Sequence, residues 1–395
     1  MARILFVWEL GGGLGHVTVL RPVAQELQRR GHQVLLAVRD LCAAHQVFRD
    51  DDLSFVQAPF KMGQVSNPFV PQRSFAHLLH HAGLGELEGL TARTAAWNGL
   101  FDLVCPDITV FDHSPTALLA SRGRTMRRKL LGTGFCAPPV GEVLPDMRPW
   151  LQSDLPKLAD DESKILAISN RVLRRFGRPA MARLSDIYGQ ADANLLTSYP
   201  ELDHFGARPY AQYLGVIQSC PGAKPVWPQG EGRRVFAYLK RTQGLPETIR
   251  ALGECRHPTI IYAPWVNDEI CSRFPFPSLS FSPVPLDMAA LVREADVAVL
   301  NGTHGATAEF LLAGKPVMQL PIFLEQRLIA QRTEQIGAGI AVHRTRPDEI
   351  RAGLNSVLSD QAYQERSQSF SAKYASRDRQ QDFDNLVASV EKLAL

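Results

Sequence analysis

The 395-residue chain is poor in the features that mark specialised protein classes. Its six cysteines, Cys42, Cys105, Cys136, Cys220, Cys255 and Cys271, are widely spaced without a CxxC pair, which argues against a zinc ribbon or dithiol couple and predicts buried thiols. No uninterrupted apolar run approaches about 18 residues, and the opening MARILFVWEL lacks the pattern of a secretory signal, so a soluble cytoplasmic protein is expected. Charge of either sign is not in excess: 43 Lys and Arg against 40 Asp and Glu leave +3, too little for a nucleic-acid-coating protein. What is present is globular, with 45% hydrophobic and 21% charged residues, and the length favours two domains.

Short apolar runs alternating with helix-like stretches predict an α/β fold with parallel sheets. In the first half the strands are Ile4–Trp8, Val34–Val38, Leu53–Gln57, Ile108–Phe111 and Lys129–Leu131; in the second they are Val235–Leu239, Thr259–Tyr262, Ser278–Phe281, Val297–Leu300 and Val317–Leu320. Between them QSCPGAKPVWPQGEG has three prolines, three glycines and no apolar period. The expected organisation is a first domain over 1–215, a linker over 216–234, a second domain over 235–375, and a terminal helix over 376–395 packing back on the first.

Two strand-to-helix loops carry candidate chemistry. The first runs Gly11-Gly12-Gly13-Leu14-Gly15 and places His16 at a helix entrance, where the dipole favours a neutral imidazole available as a base. Its alternative is a cap or a packed ring. Asp112 ends a strand, at the edge where parallel sheets gather functional groups, and is positioned to hold the other ring nitrogen. A complete G-x-G-x-x-G would need glycine at His16, so the dinucleotide reading is weak even with Asp40 closing the second strand, and DHSPT at 112–116 lacks a G-x-S-x-G elbow.

The second loop, Asn301-Gly302-Thr303-His304-Gly305-Ala306-Thr307, enters a helix carrying Glu309. Small residues and hydroxyls at a helix start suit a diphosphate, and an ordinary crossover loop is the alternative. Glu309 is a candidate ribose acceptor, and Glu325 and Gln326 are candidates for reading sugar hydroxyls. Acidic runs at 50–52 and 160–162 mimic a DxD metal site and read as exposed loops.

These motifs together resemble the UDP-glycosyltransferase superfamily. NGTHGATAEFLLAGKPVMQLPIFLEQ, Asn301 to Gln326, is similar to its donor signature; GLGHVTVLRPVAQELQRRGHQV is similar to its start, and PDITVFDHSPTALLA to its P-D-x-v-x-D segment. The resemblance implies a GT-B fold, two facing Rossmann-like domains with a cleft between them. It implies an inverting, metal-independent transferase with no cofactor, moving a sugar from a UDP- or dTDP-sugar to an acceptor hydroxyl. His16 becomes the base and Asp112 its partner. Donor contacts then fall on Gly12, Gly13, Lys240, Arg241, Thr242, Val284, Asn301, Gly302, Thr303, His304, Gly305, Ala306, Thr307, Glu309, Glu325 and Gln326. The chain departs from the family at Asn301, where many members have a phosphate-contacting histidine, and at Lys240-Arg241-Thr242, which replaces a small turn.

Rival readings are a sugar-nucleotide epimerase on the same scaffold and a catalytically degenerate binding protein. The expected acceptor is a small or lipid-like molecule. Peripheral membrane contact enters through the basic stretches Arg122–Lys129 and Arg171–Arg183, whose alternative is an ordinary wet helix face. Trp97, Trp150 and Phe176 are candidates for stacking on the acceptor or for the core.

Overall fold

The computed structural model describes residues 1–209, 211–217, 222–242, 244–343 and 346–392. Its strands are β1 (Arg3–Trp8), β2 (Gln33–Val38), β3 (Ser54–Gln57), β4 (Ile108–Asp112), β5 (Arg127–Gly132), β6 (Ala193–Leu196), β7 (Gln212–Tyr213), β8 (Val235–Tyr238), β9 (Thr259–Tyr262), β10 (Leu279–Ser282), β11 (Val297–Leu300), β12 (Val317–Gln319) and β13 (Gly339–Ala341). They form two parallel sheets, ordered β3-β2-β1-β4-β5-β6-β7 and β10-β9-β8-β11-β12-β13. Both orders reverse at one point, between β1 and β4 and between β8 and β11. The crevice outside such a reversal is where open α/β sheets place ligands.

The first unit comprises 1–199, 208–217 and 379–395, and the second 200–207 and 218–378. In the first, β4 is buried along its whole length, as a strand covered on both faces must be. Helix Gly15–Arg29 turns Val17, Leu20, Val23, Ala24 and Leu27 inward at helical spacing, against Phe6 and Val110 of the sheet. Helix Arg379–Glu391 completes that core with Leu386, Val387 and Val390. Its end is fixed by Glu391, which pairs with Arg30 at 2.6 Å and His32 at 2.8 Å.

The 200–207 segment is fastened to the second unit: Arg332 Nε donates to the Asp203 carbonyl at 2.8 Å and Tyr374 OH donates to Glu201 at 2.6 Å. Within the stretch 216–234, Gln218–Pro221 lie outside the described residues. From there the chain is held to the second sheet's surroundings, with Ala223 bridging Leu286 and Trp227 Nε1 donating to Glu294 at 2.7 Å.

Three expectations are corrected. Cys42 and Cys105 are exposed and Cys255 and Cys271 half-buried; Cys136 is buried, while Cys220 lies outside the described residues. The acidic runs are not loops of free carboxylates. Asp51 is bound by Arg21 at 2.6 Å and 2.7 Å, and Asp161 and Glu162 lie inside helix Leu155–Arg175, facing His77 and the Leu144 amide. Nor is Arg122–Lys129 a basic surface. Arg122 is 2% exposed and donates to the Pro179, Ala180 and Asp186 carbonyls, Arg124 pairs with Asp102, and Lys129 is buried. Trp97 is core. Among the described residues no helix is long and apolar enough to cross a membrane.

Candidate active site

The β1–β4 reversal brings together two residues 96 positions apart. Trp8 and Asp112 are register partners at the ends of adjacent strands, and His16 opens the helix that follows β1. His16 Nδ1 lies 2.7 Å from Asp112 Oδ2. The carboxylate is almost fully buried while the imidazole keeps a partly exposed edge, so a ring held on one side can serve as a base on the other.

Other groups surround the ring. Trp8 stacks on it with centroids 5.0 Å apart and planes at 21°, and Trp8 itself is fixed by Nε1 donating to the Leu10 carbonyl at 2.6 Å. His113 lies parallel at 6.4 Å, and burial holds its pKa down to about 3, so it stays neutral beside the dyad. Gly11 has φ +88°, and a Cβ there would collide with His16 Nε2. That conformation and clearance require glycine. Gly12 and Gly13 are exposed, with open space where a Cβ would stand.

Beneath the loop lies Glu9, fully buried at the end of β1. Its Oε2 accepts from the Thr116 and Ala117 amides at 2.9 and 3.3 Å, whereas Oε1 has no hydrogen-bond partner among the described residues. Desolvation pushes its pKa up to about 7. Asp40, in contrast, caps helix Leu41–Phe48 by accepting from the Ala43 amide, an ordinary role that removes the dinucleotide reading's one supporting acid.

At the β8–β11 reversal the predicted donor residues divide into framework and surface. Asn301 is framework: its Oδ1 accepts from the Lys240 amide at 2.6 Å and its Nδ2 donates to the Leu320 carbonyl at 2.7 Å, tying three strand ends together. Gly302 donates its N–H to Gln319 Oε1 at 2.9 Å, and a Cβ there would stand 2.5 Å from the Gln326 carbonyl oxygen. Gln319 Nε2 in turn donates to Thr307 Oγ1 at 3.0 Å, whose own hydroxyl donates to the Thr303 carbonyl. Gln326 is also framework, with Oε1 accepting from the Ile322 and Phe323 amides at 2.8 and 3.3 Å.

The amides of the first turn of helix His304–Leu312 remain as donors that helix geometry leaves without intrahelical partners. Gly305 is exposed there, with Thr303 and Ala306 half-buried. Burial holds the His304 pKa down to about 4, so its ring is neutral; it stacks on His204 with centroids 5.7 Å apart. Glu325 is half-exposed at the start of the next helix, 4.0 Å from His204 Nε2, and Glu309 is half-buried one turn into its helix. Lys240, Thr242, Asn301, Leu320 and His343 line a cavity of about 210 Å³ at these strand ends; Arg241 is exposed outside it. Val284 is exposed just past β10, three strands from β11, or about 14 Å at the usual strand spacing.

Residues 277–389 match the family described as Erythromycin biosynthesis protein CIII-like, C-terminal domain. Over nearly full length, 98% of this chain and 99% of the relative, it is 23% identical to the 4'-demethylrebeccamycin synthase of Lentzea aerocolonigenes. Together these likenesses support the UDP-glycosyltransferase superfamily. The chain is also 26% identical to the UDP-glucosyltransferase avaP of Aspergillus versicolor over 56% of its own length, and spans 54%, about half, of that relative. Its GT-B fold is shared with the spinosyn rhamnosyltransferase SpnG complexed with thymidine diphosphate, at a TM-score of 0.66 and 16% identity over 99% of this chain and 100% of that one. Sequence reasoning missed Gly11, Glu9, Gln319 and His204. Glu9 had a readable signal, a carboxylate ending an otherwise apolar strand; Gln319 had none outside the sheet register.

Proposed function

We propose that the protein is an inverting glycosyltransferase that moves a sugar from a UDP- or dTDP-sugar to the hydroxyl of a small-molecule acceptor. The observation that carries this reading is the His16–Asp112 bond of 2.7 Å at a sheet reversal, with an exposed ring edge. His16 Nε2 takes the acceptor's hydroxyl proton as that oxygen attacks the anomeric carbon, and the bond from this carbon to the diphosphate oxygen breaks. Asp112 holds the Nδ1 proton and stabilises the imidazolium. The departing diphosphate meets the first-turn amides at 304–306 and the Lys240 and Arg241 charges, electrostatic stabilisation that requires no metal. Glu325 faces the sugar, and the Val284 loop lies at a nucleoside's distance along the sheet edge. The activities named for the relatives, and the thymidine diphosphate in the SpnG complex, support a nucleotide-sugar donor; a cytoplasmic location accords with such a substrate.

Incubation with a panel of labelled nucleotide sugars, ranked by thermal shift and followed by product analysis with and without an acceptor such as a simple phenol, tests this. The expected result is a shift with UDP- or dTDP-sugars and an acceptor-dependent glycoside, undiminished by EDTA. An isomerised donor formed without acceptor supports the epimerase instead, and a thermal shift without any product supports the binding protein.

A further inference from the structure

The buried thiol of Cys136 has a place that sequence spacing does not reveal. Its Sγ, a ring nitrogen of His16 and a carboxylate oxygen of Asp112 all lie within 4.8 Å of one another. The three residues come from the carboxyl ends of β1, β4 and β5, which are neighbours in the sheet, so the fold itself gathers them. Cys136 sits in the turn after β5, closed by its amide donating to the Thr133 carbonyl at 3.0 Å. Gly132 keeps the ground between thiol and carboxylate clear: a Cβ there would stand 3.0 Å from Cys136 Cβ and 3.2 Å from Asp112 Oδ1.

We propose that His16, Asp112 and Cys136 form a binding site for one borderline-soft divalent cation of the Zn²⁺ class. One nitrogen, one oxygen and one sulfur are donors that Zn²⁺ accepts together, whereas Mg²⁺ and Ca²⁺ prefer oxygen alone. In a tetrahedral zinc site the ligand atoms stand roughly 3.3–3.8 Å apart, so the ion opens the 2.7 Å His16–Asp112 pair by up to about 1 Å while the Cys136 thiol approaches from within 4.8 Å. The ion enters from the exposed edge of His16, since Asp112 and Cys136 are buried. On binding, the Cys136 thiol gives its proton to solvent, Asp112 stays a carboxylate, and the neutral imidazole keeps its single proton on the nitrogen away from the ion. About one proton is released per ion, and water fills the fourth position. The site takes both members of the dyad, so the cation is an inhibitor and not a cofactor; this consequence alone rests on the proposed transferase reading.

The test is titration of the full-length protein with Co²⁺ and Zn²⁺ in the absence of any sugar nucleotide. The expected result is one Co²⁺ bound with the intense visible bands of a four-coordinate ion and a near-ultraviolet thiolate-to-cobalt band, displaced by one equivalent of Zn²⁺. Cys136→Ser removes the thiolate band and weakens Zn²⁺ at least about tenfold, with Cys136→Ala as the second variant and circular dichroism confirming that each is folded. A pale six-coordinate cobalt spectrum, or a Zn²⁺ affinity unchanged in both folded variants, overturns the site. In transfer assays Zn²⁺ should inhibit the wild type at least tenfold more strongly than Cys136→Ser, each judged against its own metal-free rate. A thiolate band in a protein that transfers nothing leaves the cation site standing and sinks only the transferase reading.

Discussion

A general base is useful only if its ring is aimed, and His16, the base of the proposed function, is held by Asp112 at Nδ1 and by the Trp8 face. Gly11 sets the clearance at Nε2, and its φ of +88° is a conformation that an L side chain resists. Gly11→Ala should therefore displace the imidazole. The expectation is a fall in kcat of about 10²-fold, the usual cost of misplacing a reacting group by an ångström, with the donor KM little changed; steady-state kinetics on a variant of native circular dichroism checks it. His16 was singled out by its place after the glycine loop and by the resemblance of G-L-G-H to the family's start, with a cap or packed ring as the alternative, and the structure adds its contact with Asp112. Gly11 was not legible, because in a run of three glycines only coordinates tell which one touches the ring. Asn301 teaches the complementary lesson: its position in the motif was readable, but its engagement with the ends of β8 and β12 depends on strand order.

At the scale of elements, the two sheet reversals are pinned by buried polar groups that couple a strand end to the next helix. Glu9 does this for β1, capping helix Pro115–Ala120 through the Thr116 and Ala117 amides. Its pKa rises from an ordinary 4.5 to about 7, so between those values the folded state holds the proton more tightly than the unfolded chain. Stability contributed by this group accordingly falls as pH rises from about 4.5 to 7 and is level above, a loss on the order of 3 kcal/mol. Glu9→Gln keeps an acceptor oxygen and removes the titration. Urea midpoints at pH 5 and pH 8 should drop in the wild type relative to Glu9→Gln, with the variant the more stable at pH 8; identical pH dependence in both proteins would refute the assignment. In the second sheet Gly302 and Gln319 play the corresponding part. Gly302→Ala forces a Cβ against the Gln326 carbonyl at positive φ, and should cost about 2 kcal/mol or more in urea unfolding and weaken the donor-induced thermal shift. Strands β6, β7 and β13 escaped sequence reading because each is at most four residues long and lacks a branched apolar run, so neighbouring strands rather than propensity impose their conformation.

At the scale of the molecule, the two sheets repeat one design: a reversal of strand order with a small-residue loop entering a helix beside it. That much was legible, since apolar strands alternating with amphipathic helices leave few topologies. The course of the chain at its unit boundaries was harder, because nothing in the composition of 200–207 assigns it to the second core, whereas Arg332 and Tyr374 do so through Asp203 and Glu201. The proposed function is separable into parts, because it assigns the base to the first unit and the donor grip to the second. Removing the base should abolish turnover without touching donor binding. The most direct measurement is the rate of acceptor-dependent sugar transfer by wild type and His16→Ala, with donor binding followed in parallel by thermal shift. A fall of about 10³-fold or more with the donor shift retained is the predicted result, and equal rates in the two proteins would contradict the account.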